Sequence, residues 1–114
     1  MAELRGDGTS QLIEVYRDIM ETRYSPKLGQ LSCLYNLDLD SNQLTGIIPS
    51  ELGKLSSLKR LNLNSNRLTG PIPSELGQLQ WLTVLNLEFN QITGSIPSEL
   101  GRLSSLKTLK FNSN

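Results

Sequence analysis

The sequence predicts an α/β repeat solenoid, in which short parallel strands stack beside one another along a common axis. The hexapeptide Ile-Pro-Ser-Glu-Leu-Gly occurs at 48–53, 72–77 and 96–101, each time 24 residues further on. A fixed period of this length is typical of repeat architectures. Residues 100–114 also match residues 52–66 at eleven of fifteen positions. Each unit contains a segment in which apolar and polar residues alternate, as they do on a half-buried strand.

The repeats divide the chain into an N-terminal segment, residues 1–27, and a repeat region, residues 28–114. The units of the repeat region are 28–51, 52–75, 76–99 and a partial unit, 100–114. One short strand cannot bury its apolar edge alone, so the strands of successive units are expected to stack. Parallel neighbours need a crossover, and the remainder of each unit supplies one.

Each unit has three parts with different expected structures. In the second unit the strand segment is 58–66, where Leu61 and Leu63 alternate with polar residues. The glycine of the following Leu-Thr-Gly-x-Ile-Pro is expected to permit a tight turn. The next residues predict one short helical turn, which Pro73 begins and Gly77 ends. A brief turn on the outside makes the coil curve, so the strands are expected on the inner, concave side.

An asparagine follows every strand segment. These residues are Asn42, Asn66, Asn90 and Asn114. They lie where the chain turns and its backbone groups lose their sheet partners. Because a carboxamide carries both donors and acceptors, we expect a structural role in satisfying backbone groups of neighbouring coils. A ligand-binding role is the alternative.

The pattern Leu-x-x-Leu-x-Leu-x-x-Asn-x-Leu-x-Gly-x-Ile-Pro-x-x-Leu-Gly-x-Leu resembles the plant-type leucine-rich repeat over residues 28–114. It is similar to repeats in the ectodomains of plant receptor-like kinases and in polygalacturonase-inhibiting proteins. The resemblance implies a right-handed superhelix with a concave parallel β-sheet, convex 3₁₀ turns and protein or peptide recognition. The chain departs from the family in two ways, since Cys33 is its sole cysteine and no Asn-x-Ser/Thr sequon occurs.

The two ends of the repeat region carry separate predictions. Residues 10–24 predict an α-helical N-terminal cap, because Leu12, Tyr16 and Ile19 recur at helical spacing. A membrane-surface or partner-binding helix is the alternative for this segment. At the other end no outer turn follows the last strand segment, so an apolar edge is expected there. Either this chain is a piece of a longer protein, or the edge is buried by self-association.

Composition excludes several classes of function. Eleven Lys and Arg balance eleven Asp and Glu, so a nucleic-acid partner is not expected. Histidine is absent, which removes the commonest general base and metal ligand. We therefore expect no enzyme, no cofactor and no metal site.

The chain contains no long apolar run, so membrane insertion is not expected. Without a leader, disulfides or sequons the chain is expected to be cytoplasmic, or extracellular or membrane-attached if it belongs to a receptor.

The outward side chains of the strands are the candidate partner-binding residues. They are Tyr35, Asn36, Asp38, Asp40, Lys59, Arg60, Asn62, Asn64, Val84, Asn86, Glu88, Phe89, Thr108 and Lys110. Read from Asp38 to Lys110, they predict an acidic-to-basic gradient that would select an extended segment of opposite polarity. Four strands expose only ~400 Å², against ~800 Å² per partner in a standard interface, so weak binding is expected. The alternative functions are a scaffold that assembles through the C-terminal edge and a targeting fragment of a longer receptor-like kinase.

Overall fold

The computed structural model describes residues 3–5, 33–112 and 114, and only the backbone of 3–5. Within these residues the chain forms short strands and 3₁₀ helices in a repeating order. The strands are β1 Glu3–Arg5, β2 Asn36–Asp38, β3 Thr45–Ile47, β4 Arg60–Asn62, β5 Arg67–Gly70, β6 Val84–Asn86, β7 Gln91–Ile92 and β8 Thr108–Lys110. The 3₁₀ helices are η1 Ser50–Lys54, η2 Ser74–Gln78 and η3 Ser98–Arg102. The predicted α/β repeat solenoid is confirmed, and we number its coils 1 to 4 after the four sequence units.

Five strands form a parallel sheet in the order β1-β2-β4-β6-β8, which we call the inner sheet. Its register follows the 24-residue repeat, so that Leu37 pairs with Leu61 and Leu61 with Leu85. Leu85 pairs in turn with Leu109. Because equivalent residues lie side by side, each column of side chains on this sheet contains one residue from each coil.

A second parallel sheet, in the order β3-β5-β7, was not predicted from the sequence. It pairs Ile47 with Thr69, an offset of 22 residues rather than 24. The strands of this sheet are therefore staggered by two residues relative to the repeat. Gly70 ends β5 with a φ of 73°, a left-handed conformation that glycine adopts without steric cost.

The 3₁₀ helices occupy the predicted outer turns. Each begins after a proline, has a glutamate in its first turn and ends after five residues. Successive helices pack closely: a Cβ atom added at Gly77 of η2 would lie 2.5 Å from the carbonyl oxygen of Glu99 in η3. Glycine at this position therefore permits the close stacking of the outer turns.

The core is built from leucine and isoleucine of successive coils. Leu61 and Leu85 of the inner sheet are fully buried, as are Leu63 and Leu87, which directly follow β4 and β6. Leu76 of η2 is also fully buried. Burying a leucine side chain stabilises the fold by about 2 kcal/mol relative to leaving it exposed. Because these contacts join neighbouring coils, they hold the strands of the inner sheet at a constant spacing.

The two ends of the inner sheet differ. At the N-terminal end β1 pairs in parallel with β2, and Leu4 lies in register with Leu37. This strand was not predicted, whereas the predicted capping helix at 10–24 and the boundary at residue 27 lie outside the described residues. No helix long and apolar enough to cross a membrane is found where the structure describes the chain.

Candidate binding surface

A stack of asparagines joins the coils at the carboxyl ends of the inner strands. Asn66, which is buried, accepts hydrogen bonds from the backbone N–H of Asn42 and of Leu44, both at 3.0 Å. Its Nδ2 donates to the carbonyl oxygens of Leu39 at 3.0 Å and Leu63 at 2.9 Å. The side chain therefore satisfies buried backbone groups in two coils at once.

The same arrangement repeats in the later coils. Asn90 accepts from the N–H of Leu68 at 3.0 Å and donates to Leu63 at 3.0 Å. Asn114 accepts from the N–H of Ile92 at 3.1 Å. The regular repetition fixes the backbone at the point where each strand ends and the chain turns away from the inner sheet.

A second set of side chains supports the turn that follows each strand. Asn62 Oδ1 accepts from the N–H of Asn64 at 3.2 Å, and Asn86 Oδ1 accepts from the N–H of Glu88 at 3.1 Å. Asp38 makes the equivalent contact with Asp40 at 3.3 Å. The sequence analysis assigned these side chains only to partner binding and did not predict this local hydrogen bond. The sequence feature that indicates it is an Asn or Asp two residues before the turn. Lys110 takes the corresponding position in coil 4 and has no acceptor to offer.

Most of the predicted partner-binding side chains lie on the solvent side of the inner sheet, which we call the inner face. Arg60 is exposed and Asn62 is half-buried, while Leu61 between them is buried. Asn36 differs from the other predicted residues, because its exposed fraction is only 5%. Asn36 lies in register with Glu3, because β1 pairs with β2 at the N-terminal edge of the inner sheet. The remaining residues are Tyr35, Asp38, Asp40, Lys59, Asn64, Val84, Asn86, Glu88, Phe89, Thr108 and Lys110, all exposed or half-buried.

Charge is distributed unevenly between the two ends of the inner strands. At the amino ends of β4 and β8, Lys59, Arg60 and Lys107 are exposed. At the carboxyl ends of the strands Asp38, Asp40 and Glu88 are half-buried, and Lys110, the last residue of β8, is exposed. The predicted gradient from coil 1 to coil 4 is therefore interrupted, because coil 3 carries a carboxylate between two cationic coils.

Coil 3 also carries the two most exposed aromatic side chains of the described surface. Trp81 and Phe89 are each 57% exposed, and each replaces a residue that is serine in coil 2. Phe89 has a φ of 58°, an uncommon conformation for a bulky residue. Ser41 and Ser65 have the same conformation in the earlier coils. Phe89 lies at the carboxyl end of the inner strand, whereas Trp81 precedes that strand.

The C-terminal edge of the inner sheet is incompletely covered. Leu109 is half-buried, although its equivalents Leu61 and Leu85 are fully buried. A cavity of about 290 Å³ opens at this end of the molecule. It is lined by Ile72, Ile92, Gly94, Ile96, Phe111, Asn112 and Asn114. Within the described strands, β8 has a neighbour on one side only.

No group of three or more His, Cys, Asp or Glu side chains that could hold a metal ion occurs in the part of the chain that the structure describes. Cys33 is exposed and is not part of a disulfide. The arrangement on the inner face is instead a set of exposed charged, amide and aromatic side chains on a rigid sheet, which is suited to non-covalent recognition.

The fold defines a class of repeat proteins whose coils present one strand each to a common inner sheet. A family model described as leucine rich repeat matches residues 32–92, and the chain belongs to this family. Proteins of this fold are typically non-catalytic binding modules. No curated protein matches the chain significantly.

Several solved structures are similar to this chain. The plant peptide hormone receptor RGFR1 in complex with RGF2 is 40% identical with a TM-score of 0.68, over 72% of this chain and 14% of the receptor chain. The BIR3–SERK2 complex from Arabidopsis thaliana is 37% identical with a TM-score of 0.72, over 77% of this chain and 47% of that chain. A plant ice-binding protein is 39% identical with a TM-score of 0.63, over 69% of this chain and 26% of that chain.

The chain thus spans less than half the length of the first two structures. Other similar structures are the ectodomain of the receptor kinase HAESA with a peptide hormone and the BIR2 ectodomain, both from Arabidopsis thaliana. These likenesses fit the extracellular alternative and give no support to the cytoplasmic expectation.

Proposed function

We propose that the chain is a binding module that holds an extended peptide or protein segment against its inner face, outside the cell. The supporting observation is the register of the inner sheet, which sets the outward side chains of four coils in continuous columns. Lys59 and Arg60 project from the surface without serving the core. The similar structures include ectodomains solved with peptide hormones.

Area limits the strength of this binding. Five strands ~4.8 Å apart, each exposing ~20 Å, give the inner face roughly 480 Å². A standard interface buries ~800 Å² per partner. We therefore expect this chain to bind a short segment with micromolar or weaker affinity, and side chains at the rim of the face to add to it.

A peptide library displayed on phage or yeast tests the proposal. Peptides selected on the wild-type chain should lose binding to the triple variant Lys59→Glu, Arg60→Glu and Lys110→Glu. The matched control is Lys54→Glu, Arg67→Glu and Arg102→Glu, which changes net charge equally at exposed residues of the outer helices and the second sheet. If the selected peptides bind both triple variants equally well, the inner face is not the binding surface.

A second candidate function is assembly through the C-terminal edge. Four apolar side chains at this end favour it. Ile96 and Phe111 are exposed and line the cavity, and Leu106 and Leu109 are half-buried at the uncovered edge. An unpaired strand edge with apolar neighbours is a template for a further strand. A second copy of the chain, pairing its own β8 with this one, would bury both edges.

Ice binding, the property of one similar structure, is not favoured by the second sheet. A repeated ice-facing array needs equivalent side chains side by side on a flat surface. The exposed Thr45, Thr69 and Thr93 recur once in each unit, but the pairing places Thr69 beside Ile47 and Gln91. The threonines are therefore staggered, and we base the proposal on the inner face.

A further inference from the structure

The charges of the inner face change sign from one coil to the next. Coil 1 carries Asp40 at the carboxyl end of its strand, and coil 2 carries Lys59 and Arg60 at the amino end. Coil 3 carries Glu88 at the carboxyl end, and coil 4 carries Lys107 at the amino end, with Lys110 at the carboxyl end of the same strand. We call Asp40, Lys59, Arg60, Glu88 and Lys107 the charge zigzag.

The backbone beneath the charge zigzag is fixed by hydrogen bonds between coils. The N–H of Lys59 donates to the carbonyl oxygen of Tyr35 at 2.7 Å, and the N–H of Lys107 donates to that of Thr83 at 2.8 Å. At the other end the carbonyl oxygen of Glu88 accepts from the N–H of Ser65 at 2.9 Å. The charged groups therefore project from a rigid base, which lowers the entropy lost when a ligand binds.

The side chains of an extended peptide alternate in direction in a way that matches the alternation of the charge zigzag. The peptide's successive side chains point to opposite sides of the backbone. Laid along the solenoid axis, it advances ~3.3 Å per residue while the coils advance ~4.8 Å. The mismatch of ~1.5 Å per step adds up to ~4.5 Å over the three steps between four coils. Long Lys, Arg and Glu side chains on both partners can span this distance. Four consecutive residues of such a peptide can therefore meet the four coils in turn.

We propose that the ligand of the inner face is an extended peptide whose side chains alternate in sign, with basic residues over Asp40 and Glu88 and acidic residues over Lys59, Arg60 and Lys107. This inference rests on the proposed function and adds the chemistry of its ligand. A peptide with two basic residues followed by two acidic residues has the same charges in a different order. At two of the four coils its side chain would face protein side chains of the same sign. Such contacts select against the wrong partner.

Two synthetic peptides of identical composition test the inference. One contains Lys-Glu-Lys-Glu and the other Lys-Lys-Glu-Glu, both flanked by alanines and blocked at their termini. In calorimetric titrations at low salt we expect the alternating peptide to bind the full chain about tenfold more tightly, the combined effect of a few exposed charge pairs. Raising the salt from ~50 mM to ~500 mM should reduce this preference, because exposed charges are screened.

A matched pair of variants shows whether the charge zigzag is responsible. Glu88→Lys places three cationic coils in succession, and it should abolish the preference for the alternating peptide. Glu75→Lys makes the same change of charge on η2, where the glutamate is exposed, and it should leave the preference intact. Circular dichroism of both variants checks that the fold is retained.

Each result decides between the two proposals. Equal affinities for the two peptides, or no measurable binding of the alternating peptide, would overturn this inference. Library peptides that bind the inner face without sign alternation would overturn it too, and they would leave the proposed function standing. If the library peptides bind the inner-face triple variant as tightly as the wild-type chain, the proposed function is excluded instead.

Discussion

The carboxamide oxygen of Asn66 accepts a 3.0 Å hydrogen bond from the backbone N–H of Leu44, which lies in the preceding coil. The same side chain donates to a carbonyl oxygen on each side of the coil boundary. A buried backbone group without a hydrogen-bond partner costs about 1–3 kcal/mol. The hydrogen bond between Asn66 and Leu44 therefore stabilises the contact between two coils as well as the turn in which Asn66 lies.

Replacing Asn66 by alanine removes the acceptor of two backbone N–H groups and the donor to three carbonyl oxygens. We expect Asn66→Ala to lower the free energy of unfolding by about 3 kcal/mol, measured by urea denaturation. Asn64→Ala is the control, because this half-buried side chain lies on the inner face and its loss should cost under about 0.5 kcal/mol. Equal effects of the two substitutions would contradict a structural role for the asparagine stack.

Glycines of η2 and η3 offer a test of how the outer turns pack. A Cβ at Gly77 would meet the backbone oxygen of Glu99, whereas one at Gly101 would have no atom within 4 Å. Gly77→Ala should therefore destabilise the chain by about 2 kcal/mol. Gly101→Ala should change the stability by less than about 0.5 kcal/mol. Thermal melting of the two variants measures the difference, and a harmless Gly77→Ala would mean that the coils separate easily on their outer side.

The local contact missing from coil 4 can be restored by one substitution. Asn62 and Asn86 each accept a hydrogen bond from the backbone N–H two residues later, and Lys110 occupies the equivalent position. Lys110→Asn should raise the free energy of unfolding by about 0.5–1 kcal/mol through the added hydrogen bond. Lys110→Ala, which removes the same charge without supplying an acceptor, is the control. If the two variants are equally stable, the contact contributes nothing measurable.

Phe89 and Trp81 form a matched pair for testing where a ligand lies. Both are 57% exposed, but only Phe89 follows an inner strand at the carboxyl end of the inner face. Phe89→Ser should weaken a peptide selected from the library roughly tenfold, because exposed aromatic residues are frequent anchors in interfaces. Trp81→Ser should leave the dissociation constant unchanged. A greater loss from Trp81→Ser would place the ligand on the flank of the solenoid.

The C-terminal edge predicts concentration-dependent association. Phe111 is 39% exposed and lines the cavity beside β8. Sedimentation equilibrium should show the average mass of the wild-type chain increasing with concentration, and Phe111→Lys should hold the chain in its monomeric form. Trp81→Lys changes an exposed aromatic residue away from the edge and should not alter association. A wild-type chain that remains monomeric at all concentrations would exclude assembly through this edge.

Much of the fold follows from short-range patterns that the sequence displays directly. The 24-residue period determines the coil, the alternation around Leu61 determines which side chains are buried, and Pro73 marks the start of the outer turn. The predicted end at Gly77 is one residue early, because η2 continues to Gln78. The asparagines are recognisable because a polar residue recurs at a fixed distance after each apolar segment. These features depend on a few neighbouring residues, so they can be predicted without knowledge of the packing.

The burial of Asn36, the second sheet and the strand at Glu3–Arg5 could not be obtained in this way. Asn36 is buried, and it lies in register with Glu3, more than thirty residues earlier in the chain. The second sheet pairs its strands with a stagger of two residues, which no periodic reading of the units indicates. Both features depend on how the backbones meet after the coils have stacked.

By itself the sequence determined the repeat, the residues of the core and the inner position of the strands, because each is fixed by apolar periodicity within a single unit. Tertiary structure alone decided which polar side chains remain accessible and where their charges lie relative to one another. The physical reason is that each coil brings residues about 24 positions apart into lateral contact. The alternating charges of the inner face arise from that contact between coils.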